Sequence, residues 1–374
     1  MNKFNLKLNI IRHFTPNWFT VTMGTGIVSL SISELPFLHD VFFFVGTLLW
    51  ILNILLFILF SGMYAARWIY FYQEAKLILN HSQMLFFLGA IPMGLATIIN
   101  GCLKYGSNLL NNQMIFIAQN LWYLDVFLAI LVSLFVPAMM FTRQNHELKT
   151  MTAVWLLPIV TAEVAASSGG LLLTNHLSHG HALTVLIGSY MLWGLSVLPA
   201  FCILAILFLR MALHKLPEQS MTISGCLALG PIGTGALSIL LLGKQAPQVL
   251  NPIHMAKLGE FMHYFGILGS LILIGFGFWW FIIALFTIYR QRNQHLNFNL
   301  GWWALTFPLG VYNLAILELG RQISLQPIQY IAYLLIILTI IIWLVVIFKT
   351  ILGAYHKTLF VSPCLIAELN KYSS

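Results

Sequence analysis

Charged side chains are scarce in this sequence. Asp, Glu, Lys and Arg make up only 7% of its 374 residues, while 60% of the residues are hydrophobic. Soluble proteins carry roughly 25% charged residues, so this scarcity excludes a soluble enzyme, a nucleic-acid-binding domain and a disordered chain. Because a spanning helix needs about 20 apolar residues, the composition predicts an integral membrane protein with room for about ten or eleven spans.

Residues suited to catalysis and metal binding are also few. Only two residues are aspartates, and the sequence has no HExxH, P-loop, DxxxD or nucleophile-elbow motif. His263 is the only histidine well inside a predicted span, which argues against haem, and the cluster of His176, His179 and His181 fits a polar loop better than a metal site. The cysteines lack CxxC spacing; they are Cys102, Cys202, Cys226 and Cys364. We therefore predict neither an enzyme nor a bound cofactor or metal.

Long apolar stretches predict an all-α polytopic membrane protein. Helices satisfy their backbone hydrogen bonds within one segment, as the lipid interior requires, and residues 331–347 lack the alternation of outer-membrane strands. The ten predicted spans are residues 17–33, 40–62, 82–100, 113–140, 151–174, 181–210, 221–243, 256–289, 298–319 and 326–352. The chain thus divides into an N-terminal segment at 1–16, a ten-helix transmembrane domain at 17–352 and a C-terminal tail at 353–374.

The basic residues predict the orientation of the chain. With the N-terminus in the cytoplasm, 14 of the 18 Lys and Arg residues fall on the cytoplasmic side, as the positive-inside rule describes. The four on the outer side are Lys104, Lys244, Lys257 and Arg321. We therefore predict both termini in the cytoplasm, with Cys364 inside and Lys244 outside, in a plasma membrane such as the bacterial inner membrane. The net charge of +8 then needs no nucleic-acid partner.

Proline and glycine are concentrated in the odd-numbered spans. Four of the five odd spans have a near-central proline, whereas spans 2, 8 and 10 have no internal proline. A proline bends a helix, and irregular backbone is tolerated at membrane depth where it lines a cavity or is buried in protein. One interpretation is five hairpins with the odd helices around a central pore, and the other is tight packing without a pore. The candidate pore-lining or kink residues are Gly24, Thr25, Gly26, Pro92, Pro158, Gly230, Pro231, Thr234, Thr306 and Pro308.

Few acidic residues lie within the spans. Glu260 follows Lys257 by three residues and Glu318 precedes Arg321 by three, so both pairs fit ion pairs on one helix face. Glu163 has no such local partner, so it is either the proton site of a proton-coupled carrier or a hydrogen-bonded structural group. No Lys or Arg occupies the middle of a span. An anion pathway would therefore depend on backbone and hydroxyl dipoles and would bind anions weakly.

Two stretches resemble a known family. They are PNWF at 16–19 with MGTG at 23–26 in span 1, and GWWALTFPLG at 301–310 in span 9. Together they are similar to the tellurite-resistance/dicarboxylate transporter (TDT) family, which includes TehA-type bacterial proteins, plant slow-type (SLAC-type) anion channels, yeast malate permeases and sulfite efflux pumps. The resemblance covers about residues 14–352. It implies five helical hairpins around a pore in each protomer of a homotrimer, with Phe307 as the residue that plugs the pore.

Residues and resemblance together predict a membrane protein that passes small inorganic or carboxylate anions through a pore gated by Phe307. The alternative is a proton-coupled carrier for C4-dicarboxylates such as malate, or for sulfite or tellurite efflux, with Glu163 as the proton site. A membrane-embedded enzyme is a third hypothesis, and it lacks a catalytic constellation. The long phosphorylated N-terminal tail of the plant channels has no counterpart in residues 1–16, so we expect no kinase gating of that kind.

Overall fold

The structure is a computed structural model that describes residues 10–106, 112–175, 177–216, 219–292 and 298–360. Within these ranges the chain forms helices and no strand, so the predicted all-α class is confirmed. The ten long helices are α1 (Phe19–Ile32), α2 (His39–Tyr70), α3 (Ala90–Gly101), α4 (Asn112–Thr142), α5 (Leu157–Leu172), α6 (His179–His214), α7 (Leu229–Leu250), α8 (Ala256–Gln291), α9 (Phe307–Gln322) and α10 (Gln326–Tyr355). Cys364 and His176 lie outside the described residues.

The number of spans is close to the prediction. In the described part of the chain, nine helical spans are long and apolar enough to cross a membrane. The first predicted span is not among them, because α1 has 14 residues and the 3₁₀ turn before it adds only three, whereas the other odd-numbered spans have 20 residues or more. The predicted count of ten is therefore approximate, since the first of the ten spans is short.

The helices form two layers. In the most apolar part of α2, α4, α6, α8 and α10, only 17–33% of the residues are buried, against 78–89% in the spans that contain α3, α5, α7 and α9. Every residue of α1 is buried. The even helices expose large apolar side chains, such as Phe44, Phe127 and Leu268, which suit contact with lipid chains. The predicted division into inner odd helices and outer even helices is confirmed.

The inner helices close into a ring. Each one contacts the next in the order α1, α3, α5, α7, α9 and back to α1. Each outer helix packs against two consecutive inner helices, as α2 does with α1 and α3, and α10 with α9 and α1. Five helical hairpins therefore surround a single axis.

Glycine permits the closest contacts within this ring. A Cβ atom built on Gly233 of α7 would lie 2.7 Å from the backbone nitrogen and Cα of Tyr312 in α9. A Cβ on Gly89, just before α3, would collide with the backbone carbonyl of Leu157 at the start of α5. The backbones of neighbouring inner helices can approach this closely only where a side chain is missing.

Each inner helix follows a 3₁₀ segment. These segments are Pro16–Trp18, Met84–Gly89, Ala153–Leu156, Gln219–Ala228 and Leu300–Leu305. Pro92, Pro158, Pro231 and Pro308 then lie within the first three residues of α3, α5, α7 and α9, where the missing N–H costs no helical hydrogen bond. The predicted kinks in continuous helices are thus junctions between 3₁₀ and α structure. As a result, the N-terminal ends of these α-helices lie part-way along their spans.

Candidate functional site

A cavity of about 600 Å³ lies at the N-terminal ends of the inner helices. We call it the vestibule. It is lined by residues from all five inner spans and from the segment after α10, and no Asp, Glu, Lys or Arg is among the described residues that line it. Its polar lining consists of Thr15, Asn17, Thr20, His81, Gln83, Ser224, Asn299 and Thr358.

Hydrogen bonds orient polar groups of the vestibule. The Nδ1 atom of His81 accepts from the backbone N–H groups of Gln83 and Met84 at 3.2 and 3.1 Å, so the neutral ring carries its proton on Nε2. The Oδ1 atom of Asn299 accepts from the backbone N–H of Gly301 at 2.7 Å and caps the 3₁₀ segment before α9. The described residues of the vestibule therefore present oriented dipoles and no fixed charge from Asp, Glu, Lys or Arg.

The vestibule ends at an apolar narrowing, which we call the constriction. It encloses only about 10 Å³. Its lining residues come from all five inner spans, and none of those described has a polar side chain. They are Met23, Met93, Leu156, Leu157, Val160, Leu227, Gly230, Phe307 and Pro308. Phe307 is 3% exposed, and it lies beside Pro308, which lines both the constriction and the vestibule.

The helix ends around the constriction determine which charge it favours. The α5 and α9 helices begin at Leu157 and Phe307, and both residues line the constriction. The N-terminal end of an α-helix carries up to roughly half a positive charge and attracts anions. At these two ends Pro158 and Pro308 have no N–H, and the N–H of Leu157 donates to the Val154 carbonyl, so the attraction comes from the helix dipoles. These dipoles favour an anion over a cation.

A family model described as the voltage-dependent anion channel, SLAC1, matches residues 13–351 of the chain. The chain belongs to this family. The match begins before the first 3₁₀ segment and ends within α10, so the SLAC1 family accounts for all five hairpins. The chain is therefore a multi-pass membrane protein of an anion-transporting family.

Several SLAC1-family relatives align with almost the whole chain. The sulfite efflux pump SSU1 of Arthroderma otae is 34% identical over 352 residues, which is 94% of this chain and 93% of the relative. The uncharacterized transporter MJ0576 of Methanocaldococcus jannaschii is 31% identical over 360 residues, covering 95% and 97%. The malic acid transport protein of Schizosaccharomyces pombe is 22% identical over 342 residues, covering 90% and 78%.

Three of the predicted site residues meet at the constriction of this SLAC1-family chain, namely Phe307, Gly230 and Pro308. The other predicted residues of α3, α5 and α7 are buried in the inner ring but are not among the residues that line either cavity. They are Pro92, Pro158, Pro231 and Thr234.

The predicted residues of α1 face its neighbours in the helix bundle. A Cβ on Gly24 would collide with the side chain of Thr306, another predicted residue, whose hydroxyl donates to the Trp303 carbonyl at 2.8 Å. The hydroxyl of Thr25 accepts from Nε1 of Trp343 in α10 at 3.3 Å. A Cβ on Gly26 would collide with side chains of α2 and α3. These four residues therefore mediate contacts between helices and are not among the residues that line the two cavities.

Glu163 lies where α5, α6 and α7 meet. Its side chain is fully buried, and a Cβ on Gly235 of α7 would lie 3.5 Å from its Oε2 atom. Ser196 of α6 is near the carboxyl, but its hydroxyl donates to the carbonyl of Ile159 at 2.8 Å. The carboxyl oxygens form no hydrogen bond of their own within the described residues, and Glu163 is not among the residues that line the vestibule or the constriction.

The predicted ion pair between Glu318 and Arg321 is wrong. Glu318 instead contacts Lys244 of α7, with 2.9 Å between Nζ and Oε1, and Arg321 contacts Glu34 after α1, with 2.7 Å between Nη2 and Oε2. Both partners belong to neighbouring inner spans, because the ring brings the ends of different helices together. Glu260, also predicted to pair along its helix, has no ion pair within the described ranges.

The polar lining of the vestibule was not predicted from the sequence. Asn17, His81 and Asn299 are its clearest members. A signal existed for Asn299, because asparagine is common immediately before a helical segment and Asn299 precedes Leu300–Leu305. Asn17 lies within Pro16–Trp18, in the first stretch that carries the family resemblance. His81 comes just before the third span and has no comparable signal.

Proposed function

We propose that this SLAC1-family protein passes small anions along the axis of the inner ring, with sulfite as the first substrate to test. Three features support this. The relatives named above include a sulfite efflux pump and a malic acid transport protein, the described lining of the vestibule has eight polar side chains and no carboxylate, and helix N-termini meet at the constriction. Weak, dipole-based coordination suits passage better than tight capture.

In this proposal, Phe307 is the gate. The observation on which it depends most is the position of the Phe307 ring in the apolar constriction where the vestibule ends. A phenyl ring there displaces water and turns either apolar carbon or its negative face toward an approaching anion. The constriction thus opposes both hydration and coordination of the anion until the ring moves.

The remaining parts of the proposal follow the family resemblance and the charge pattern. We propose a homotrimer in the plasma membrane, with both termini in the cytoplasm, so that the vestibule opens to the cytoplasm. Malate-like C4-dicarboxylates and tellurite are further anions to test after sulfite.

Reconstitution in liposomes tests the function. We expect purified protein to release sulfite from loaded vesicles, and to carry a chloride current whose reversal potential follows the chloride gradient and is indifferent to an imposed pH gradient. Protein-free vesicles and vesicles with heat-denatured protein are the controls. Flux that matches these controls for sulfite, chloride and malate would contradict anion transport, and flux driven by a pH gradient alone would favour a carrier.

The fully buried Glu163 is the observation that favours the second candidate, a proton-coupled carrier. We expect Glu163→Gln to keep both the flux and its response to pH, because Glu163 is not among the residues that line the two cavities. Asp125→Asn in α4 is the matched control, since Asp125 is equally buried and its carboxyl also forms no hydrogen bond within the described residues. Loss of pH-gradient dependence in folded Glu163→Gln, but not in Asp125→Asn, would establish the carrier.

A further inference from the structure

A cluster of opposite charges lies at the end of the inner ring away from the vestibule. Glu34 follows α1, Lys104 lies in the π-helical turn after α3, and Arg321 lies in the last turn of α9. The Oε1 atom of Glu34 accepts from Nζ of Lys104, and its Oε2 atom lies 2.7 Å from Nη2 of Arg321. One carboxylate thus bridges two cations from different helices, and we call these three residues the Glu34 cluster.

Most cations of the outer side gather at this end of the ring. Of the four on the predicted outer side, Lys104, Lys244 and Arg321 all form ion pairs at the ends of inner spans. The C-terminal ends of the inner helices carry partial negative charge, which would repel an anion leaving the axis. Lys104 counteracts this directly, since Nζ also donates to the Leu30 carbonyl of α1 at 2.9 Å.

The Glu34 carboxylate remains charged in this setting. Burial raises the pKa of Glu34, but attraction to Lys104 and Arg321 outweighs burial and leaves the pKa below its ordinary value. Solvent nevertheless reaches the cluster, because the side chains of Glu34 and Lys104 are 20% and 21% exposed and that of Arg321 is 42% exposed. A solute anion arriving from this side can therefore compete with Glu34.

We propose that Lys104 and Arg321 form a binding site for small oxyanions at the outer mouth, and that Glu34 occupies this site as a tethered anion. Sulfite, sulfate and carboxylates present two oxygens to two cations in the same way as Glu34 does. An anion leaving the ring would displace Glu34 before its release. The inference rests on the proposed function for its role in transport, while binding of the anion is a separate property.

The test is sulfate binding to the purified full chain in detergent at low ionic strength, since salt screens exposed charges. Glu34→Gln keeps the shape of the side chain but leaves both cations without their counterion. We expect the dissociation constant for sulfate, measured by calorimetry, to fall about tenfold, which corresponds to about 1.4 kcal/mol. Adding Lys104→Gln to this variant should remove the gain in sulfate affinity.

The matched control is Glu74→Gln at the vestibule end. Glu74 is 22% exposed and pairs with Arg12, with 2.6 Å between Oε1 and Nη2. The other cation near it, Arg67, is 3% exposed and donates to the Phe14 carbonyl at 2.7 Å, so removing the Glu74 charge leaves one accessible cation without its ion pair. Unchanged sulfate affinity in folded Glu34→Gln, or an equal gain in Glu74→Gln, would overturn the proposal. If Glu34→Gln does not fold, Glu34→Asp retains the charge on a shorter side chain and should still raise affinity, and no gain there would also overturn it.

Transport assays separate this inference from the proposed function. If wild-type liposomes move no anion but Glu34→Gln gains sulfate affinity, the proposed function fails and the site remains. If the wild type transports sulfite and Glu34→Gln gains no affinity, the site fails and the function remains.

Discussion

Replacing Phe307 by alanine is expected to raise anion flux at least about tenfold, since a barrier lower by about 1.4 kcal/mol is enough for that change. Phe307 lines a constriction of about 10 Å³ whose described side chains are entirely apolar, so an anion passing it loses water without gaining a contact to a polar side chain. Removing the ring enlarges this space, which already shares Met23, Leu157, Leu227 and Pro308 with the vestibule. Single-channel or liposome flux measurements on the purified variant give the result, with the order of preferred anions unchanged.

A second buried phenylalanine provides the control. Phe19 of α1 is 1% exposed, but its ring faces α2, with centroids 5.6 Å from Phe57 and 6.2 Å from Phe60. Phe19→Ala should lose stability, by about 3–5 kcal/mol if it behaves as in soluble cores, without a gain in flux per folded protein. A well-folded Phe307→Ala variant with wild-type or lower flux would contradict the gate.

The ring of inner helices could be predicted because its cause is local. Close backbone packing needs residues such as Gly233, and prolines such as Pro308 are confined to positions where no helical N–H is required. Both constraints can be recognised from the residues of a single segment of the sequence. The same reasoning did not predict the 3₁₀ segments, because the switch from 3₁₀ to α hydrogen bonding depends on neighbouring backbone, as at Gly89 against Leu157.

The directions in which side chains point, and the partners with which they pair, were harder to predict. Every residue of α1 is buried, so apolar periodicity gave no indication that Thr25 turns toward Trp343 of α10 and not toward the axis. A spacing of three residues shows that Glu318 and Arg321 can meet on one helix. It says nothing of the competing partners Lys244 and Glu34, which neighbouring spans supply. The resemblance to a family, not periodicity, singled out Phe307 among 28 phenylalanines.

Replacing Gly233 by alanine is expected to break the contact between α7 and α9 and sharply reduce the yield of folded protein. The added methyl would lie 2.7 Å from backbone atoms of Tyr312, which cannot rotate away as a side chain could. Tyr312 is itself held by a hydrogen bond from its hydroxyl to the Ile274 carbonyl of α8 at 2.7 Å. Overpacking of this kind costs about 1–3 kcal/mol in soluble cores, and a fall in melting temperature of the purified protein measures it here.

Gly230→Ala, one turn earlier on α7, distinguishes packing from passage. A Cβ on Gly230 would lie 4.0 Å from the nearest atoms of Pro308, an ordinary van der Waals distance, so this variant should keep the wild-type melting temperature. Gly230 lines the constriction. When Gly230→Ala is combined with Phe307→Ala, the added methyl group should therefore lower the anion flux below that of Phe307→Ala alone. Equal melting temperatures for Gly233→Ala and Gly230→Ala would contradict the packing argument. Undiminished flux in the Phe307→Ala, Gly230→Ala double variant would show that anions pass elsewhere, because a methyl group added beside Pro308 cannot leave a path through the constriction unchanged.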